Sequence, residues 1–402
     1  MKRVLIFSLN YYPRFIGGAE VAIKEITDRI HPEDIEFHLL TLRFDSTLPS
    51  VERIGNVIVH RFGFATAHPS INDLGKIPLK LNKYWYQLYA ASVAEKLHKE
   101  HHFDGIWAMM AHSCAIPAGI FKSRHPEVKY LLTLQEGDPP EYIERLMKPV
   151  WPLFVQGFTK ADALQPISQF LLDWGIRMGF TGDAEVIPNA VDTEKFARTF
   201  SSDELQHTQE TLGKNVDDIF LVTTSRLVHK NGIDDVIRAL PLLPPHISFL
   251  VYGIGPEEKK LQALAAELNV TDRVRFLGQI THDEMPRILA ACDIFIRPSR
   301  SEGMGNSFIE AMAAGIPVIA TQEGGIADFL FDSVRDPDKE TTGWAVDANS
   351  PDDIKRAVED ILAHPDTVRE VMGTARAMVR ARYEWDTVAN SMRRIFDRMI
   401  GS

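Results

Sequence analysis

Short apolar runs return along this chain at intervals that leave room for a helix between them. In the first half they are Val4–Leu9, Phe37–Thr41, Val57–Arg61, Gly105–Ala108, Tyr130–Leu134 and Ala163–Pro166, with helical patterns at Ala19–Ile30, Trp85–His98 and Cys114–Ser123. The second half repeats the rhythm with Phe220–Thr224, Ile247–Tyr252, Val274–Leu277, Ile294–Arg297, Val318–Thr321 and Gly343–Val346. A run with no polar alternation has no face to give to water. It belongs in a parallel sheet covered by helices on both sides. Two such halves in tandem predict an α/β protein of two doubly wound, Rossmann-like domains. The 402 residues suffice for two domains of roughly 200 residues each. Ligands of such sheets sit beyond the carboxyl ends of the strands, so the loops that follow these runs carry the functional signal.

Composition removes several function classes. An apolar fraction of 45% and a charged fraction of 25% are those of a soluble globular protein. Cys114 and Cys292 have no metal-like partner spacing, which predicts a reducing compartment and no structural zinc. The run after Met1-Lys2-Arg3 is too short for a signal peptide or a membrane span and reads as a first buried strand. The net charge is −11: up to Ala190 there are 20 Lys and Arg against 21 Asp and Glu, and beyond it 24 against 34. A nucleic-acid binder needs a clustered basic face, and none is present. The stretch Lys76–Tyr86 interleaves lysines with aromatics. It is either a helix with a snorkelling rim, the reading favoured here, or a weak contact with an anionic membrane surface. The expectation is a cytoplasmic protein, at most peripheral on the inner face of the membrane.

The densest signal is Ser301-Glu302-Gly303-Met304-Gly305-Asn306-Ser307-Phe308-Ile309-Glu310, followed by Ala311–Thr321. A buried strand, Asp293–Ile296, leads into a loop with one carboxylate, and the helix that follows carries a second, eight positions on. Gly303 and Gly305 allow close backbone approach, and the free N–H groups of the helix start, from Asn306, attract an anion. Two carboxylates flanking an anion site suit a ligand with hydroxyls at both ends and charge in the middle. A nucleotide-sugar is such a ligand.

This stretch resembles the signature of the retaining glycosyltransferases of family 4, a Glu, seven residues and a second Glu within S-x-E-G-F-G-x-x-x-x-E-A-M-A-x-G-x-P-V-I-A, with Met304 where Phe is usual. The resemblance implies the GT-B fold, two Rossmann-like domains facing across a cleft. It implies that Glu302 faces the donor sugar and that Glu310 holds the ribose. Val186-Ile187-Pro188-Asn189-Ala190-Val191-Asp192 resembles the family's I-P-N-G-V-D segment between domains. The expected domains are therefore 1–188, acceptor-binding and completed by a crossover helix at about 385–402, and 189–384, donor-binding.

Other segments extend the resemblance. Ser225–Gly232 is similar to G-R-L-x-x-x-K-G, which implies that Arg226 and Lys230 face the pyrophosphate, although Lys230 stands one place early and Asn231 takes the usual Lys position. Two fixed cations can stabilise a departing nucleoside diphosphate, so neither metal nor cofactor is expected. Gly253-Ile254-Gly255 and Gly278-Gln279-Ile280 look like the loops beside base and ribose, and Gly17-Gly18 like the loop towards phosphate and acceptor. Each is equally an ordinary turn after a strand. In Thr133–Asp138, Gln135 occupies the place of a family His, and Gln cannot exchange a proton. The resemblance implies that the departing phosphate helps to deprotonate the acceptor. Glu136 and Asp138 are candidates for orienting acceptor or sugar. His112 is either a cleft residue or a satisfied structural histidine. Asp336-Pro337-Asp338 reads as a solvated loop rather than a metal site.

The leading expectation is transfer of a sugar, with retention, from a UDP- or GDP-sugar to a hydroxyl of a glycan, lipid-linked or small acceptor. A non-catalytic sugar-nucleotide-binding protein is the alternative that the missing His permits, and slow donor hydrolysis separates the two. A nucleotide-sugar epimerase shares the fold but lacks the two-glutamate segment.

Overall fold

The computed structural model describes residues 1–14 and 16–401. Among these the chain divides into two compact units, Met1–Asn189 with Trp385–Ser402, and Ala190–Glu384. No helix among the described residues is long and apolar enough to cross a membrane.

The first unit holds eight strands: β1 (Lys2–Phe7), β2 (Ile35–Leu42), β3 (Val51–Ile54), β4 (Val57–Phe62), β5 (Gly105–Met109), β6 (Lys129–Leu134), β7 (Ala163–Pro166) and β8 (Asp183–Ala184). Their order is β3-β4-β2-β1-β5-β6-β7-β8. The sheet is not wholly parallel as expected, because β3 pairs antiparallel with β4. Its Val-Glu-Arg-Ile sequence has two adjacent charges and no buried residue, which fits an edge strand and leaves no continuous apolar run to detect. Val4 to Phe7 are fully buried at the centre. The last helix, Trp385–Ile400, belongs to this unit. Its Phe396 packs at ring distances of 5.7 Å on Phe37 and 5.4 Å on Trp107.

The second unit holds β9 (Ile219–Thr224), β10 (Ile247–Tyr252), β11 (Val274–Gly278), β12 (Ile294–Arg297), β13 (Val318–Ala320) and β14 (Trp344–Ala345), in the order β11-β10-β9-β12-β13-β14. Its paired strands run parallel. Each sheet reverses its winding at one place, between β1 and β5 in the first unit and between β9 and β12 in the second. Loops diverge at such a switch point and leave a crevice beyond the strand ends.

Candidate functional site

In the second unit, the loop after β9 carries Arg226 and Lys230, and the loop after β12 carries Glu302. Backbone contacts lock these loops together. The Arg300 N–H donates to Lys230 O at 2.7 Å. The Arg300 guanidinium reaches His229 O at 2.7 Å, Asp234 at 2.8 and 3.0 Å, and Asp235 at 2.8 Å. The glycines of the β10 loop serve this locking. A Cβ at Gly253 would stand 1.7 Å from Ser225 O, and one at Gly255 2.3 Å from Leu227 O. At these two positions glycine is required by an approach of loop to loop.

Arg297, the last residue of β12, organises the first carboxylate. Its Nη2 lies 2.9 Å from Glu302 Oε2, its Nη1 donates to Ser307 Oγ at 2.8 Å, and its guanidinium stands 4.1 Å above the Phe308 ring. Phe308 is fully buried and packs edge-on to Phe295 at 5.7 Å. The Glu302 side chain is only 12% exposed, and its Oε1 accepts the Gly303 N–H at 3.2 Å. Burial pulls Arg297 below its ordinary value, and Glu302 and Glu310 oppose that pull.

Glu310 lies in the helix Asn306–Ala314 and is 5% exposed. Burial pushes its carboxyl up to about 7, against the opposing charges of Arg297 and Lys195. His282 Nε2 approaches its Oε1 to 3.5 Å from a mostly exposed ring. The two glutamates therefore differ in character. Glu302 is held by a cation, whereas Glu310 is a carboxyl whose burial favours its neutral form. Several buried polar atoms around the β9–β12 switch point, among them Ser225 Oγ, Asn231 Oδ1, Arg297 Nε and Ser299 Oγ, lack a hydrogen-bond partner within the protein. Buried polar atoms are seldom left so, and a polar ligand or water would satisfy them.

The remaining predicted positions vary. Arg226 and Gln279 are exposed, and Lys230, Gly253, Gly255, Ile280, Gly305 and Asn306 are half-buried. Gly303 and Met304 are buried, so the Met304 side chain packs inward. Asn231 is buried and donates to Arg226 O at 2.7 Å, so it shapes the loop and does not replace a cation. Asp336 is not loose in solvent. It accepts from Gln322 at 2.6 Å and from the Asp332 N–H at 3.2 Å, pinning its loop, while Asp338 is exposed.

In the first unit, the helix Gly18–Asp28 starts after β1 with Gly17 and Gly18 exposed. At that helix start Glu20 turns back and its carboxylate accepts the Gly17 N–H at 2.6 Å. After β5, Met110 adopts φ +70°, a strained value for a side chain with a Cβ. That turn sets His112 against Glu136. The His112 N–H donates to Glu136 Oε1 at 3.2 Å, and His112 Nδ1 lies 3.5 Å from the same oxygen. Glu136 is 1% exposed, and His112 Nδ1 and Glu136 Oε2 lack hydrogen-bond partners. Gln135 donates to Asn189 Oδ1 at 2.8 Å and accepts from its Nδ2 at 3.4 Å. Asp138 is exposed.

Sequence reasoning missed Arg297, Arg300, Asn189 and the strained Met110. Arg297 had a signal, a charge closing an otherwise apolar strand. The others had none, because their partners are remote in sequence or their backbone angle leaves no mark on residue type.

A model of "Glycosyltransferase Family 4" matches residues 16–195, and a model of "Glycosyl transferases group 1" matches residues 206–378. The chain belongs to glycosyltransferase family 4. Among the relatives of this family 4 chain, a GDP-mannose-dependent alpha-(1-6)-phosphatidylinositol monomannoside mannosyltransferase of Mycobacterium tuberculosis is 32% identical over 221 residues. The match spans 52% of this chain and about half the length of that relative, 55%. Sucrose-phosphate synthase from Thermosynechococcus elongatus superposes with TM-score 0.81 at 20% identity, over 99% of each chain. Anabaena HepE, solved with UDP-glucose, gives 0.75 at 19% identity, over 99% of this chain and 100% of the other. These likenesses give the family 4 chain the GT-B fold.

Proposed function

We propose that this protein moves a hexose from a nucleotide-sugar donor of the GDP-mannose type to a hydroxyl of a lipid-linked or glycan acceptor, with retention at the anomeric carbon. The observation that carries the reading is the pair of carboxylates at the β9–β12 switch point, Glu302 clamped by Arg297 and Glu310 buried on the adjoining helix. Glu302 takes the sugar hydroxyls and Glu310 those of the ribose, with the phosphates directed to the start of the helix Asn306–Ala314 and to Arg226 and Lys230. Gln279 and Ile280 lie beside the base. The second unit is the donor-binding one and the first the acceptor-binding one.

In the reaction the bond from the anomeric carbon to the donor phosphate oxygen breaks, and the nucleoside diphosphate leaves with the electron pair. The acceptor oxygen bonds to that carbon from the same face, and its proton passes to the departing phosphate. Arg226 and Lys230 stabilise the charge that develops, without a metal. Gln135, fixed by Asn189, offers a hydrogen bond and no proton exchange. His112, held by Glu136, relays the acceptor's proton towards the departing phosphate. Asp138, exposed three residues after Gln135, is a further group for orienting acceptor or sugar. The GDP-mannose preference rests on the activity of the Mycobacterium relative. The lipid-linked acceptor is supported by exposed Ile77, Tyr84, Trp85 and Leu88 beside Lys80 and Lys83, a surface suited to weak peripheral contact with an anionic membrane.

Incubation with GDP-mannose without acceptor tests the reading. Slow release of GDP, absent in Glu302→Gln, is expected. A protein that binds GDP-mannose and never releases GDP, with or without membrane extract as acceptor source, would be a binding protein and not a transferase.

A further inference from the structure

Eight of the 14 histidines, His38, His60, His68, His98, His101, His102, His112 and His125, fall between the start of β2 and β6. Three of them converge. His38 lies in β2, His60 in the neighbouring strand β4, and His101 at the end of the helix Asn82–His101. One ring nitrogen from each lies within 4.8 Å of the other two. His38 is 1% exposed, and the other two are half-buried. The group sits where Arg3 and Glu36 begin their strands, at the end of the sheet opposite to Gly17 and His112.

The geometry points to a binding site for a divalent transition metal of the zinc type, with His38, His60 and His101 as ligands. The spacing supports it. Zinc–imidazole bonds of about 2.1 Å place the nitrogens of a tetrahedral site about 3.4 Å apart. His38 Nδ1 and His60 Nε2 are already 3.0 Å apart. The orientation supports it too. His38 Nε2 lies 3.2 Å from Glu36 Oε1. A proton on that nitrogen is held by the carboxylate, and the Nδ1 lone pair then turns towards His60. A ligand histidine whose second nitrogen donates to a carboxylate is the usual outer arrangement of a metal site. Glu36 is fixed in turn by Arg3 Nε at 2.8 Å, and Arg3 Nη1 donates to His101 O at 2.9 Å. The Arg3 charge disfavours a cation nearby, and the Glu36 carboxylate between them offsets it. Imidazole donors select zinc, copper or nickel over magnesium or calcium. The half-exposed side leaves the fourth position to water.

Such a metal would tie β2, β4 and a helix end together, so its effect would be on stability. A second group, His98, His125 and Glu127, lies close by. It is the weaker candidate, because His98 Nδ1 already accepts the Phe103 N–H at 3.0 Å and Glu127 is exposed.

The test is titration of the chelator-treated full chain with cobalt(II) or zinc(II) alone, read by the visible absorption of cobalt and by thermal melting. We expect saturable uptake of a single equivalent and a rise in melting temperature with zinc. Affinity should fall at least roughly tenfold in His101→Gln, a half-exposed position that leaves the fold intact, and in His60→Gln. His125→Gln should bind as the wild type does. Absence of saturable uptake, equal uptake by His101→Gln, or uptake abolished by His125→Gln would each overturn the proposal.

Discussion

Arg297 Nη2 and Glu302 Oε2 stand 2.9 Å apart, with the two side chains 7% and 12% exposed. This ion pair closes β12 and aims the carboxylate that we assign to the donor sugar. A buried pair is costly to break from one side because the remaining charge is stranded. Arg297→Ala should therefore lower stability by about 3–5 kcal/mol in denaturant unfolding. Arg297→Met combined with Glu302→Leu should recover most of that loss and still show no donor turnover. Equal instability in the double variant would mean that the pair does not act as a unit.

Glu310 predicts a pH dependence. Burial raises its carboxyl from the ordinary 4.5 to about 7. Between those values the folded protein keeps a proton that the unfolded chain has released. Stability from this group is thus greatest at the acid side and falls as pH rises through the window, by on the order of 3 kcal/mol. In Glu310→Gln, which stays neutral, unfolding measured at about pH 5 and about pH 8 should show this fall removed. Parallel profiles for the variant and the parent would contradict the assignment.

Arg226→Ala should lower turnover by roughly 10²–10³, the scale for losing one preorganised charge stabiliser. Chelation by EDTA should leave the initial rate unchanged, while lowering the melting temperature if the histidine site is loaded. A rate that vanishes with EDTA and returns with magnesium or manganese would assign the phosphate chemistry to a metal.

Proton handling separates Gln135 from His112. Gln135 is one half of an amide pair with Asn189, so Gln135→Ala should cost about tenfold, the scale of one or two hydrogen bonds. His112→Ala should cost roughly 10²–10⁴ in turnover, the scale for losing a positioned proton-transfer group. If Gln135→Ala is the more damaging of the two, the acceptor is positioned by the amide pair and His112 is structural.

The strands were legible because apolar runs buried on both faces cannot be mistaken for surface. β3 escaped because an edge strand with a wet face carries a weak pattern. At the site, Glu302 and Glu310 were legible from a long contiguous pattern. The grip of Arg297 on Glu302, the turning of Glu20 onto Gly17 and the pairing of Gln135 with Asn189 were not. Each depends on which way a side chain turns once its neighbours are packed, and residue type alone does not record that. The glycines at 253 and 255 show the converse. Their type signals close approach, but not whether a ligand or a neighbouring loop does the approaching.

Calorimetric titration of GDP into the wild type and into Glu310→Ala tests the central claim most directly. A buried carboxyl that receives the ribose should, when removed, leave hydroxyls unpaired and weaken binding by about 1–3 kcal/mol in an otherwise folded protein. The account predicts saturable GDP binding by the wild type and that loss in the variant. Equal GDP affinity in the two proteins would take the nucleotide away from the β9–β12 switch point, and with it the donor site proposed for the second unit.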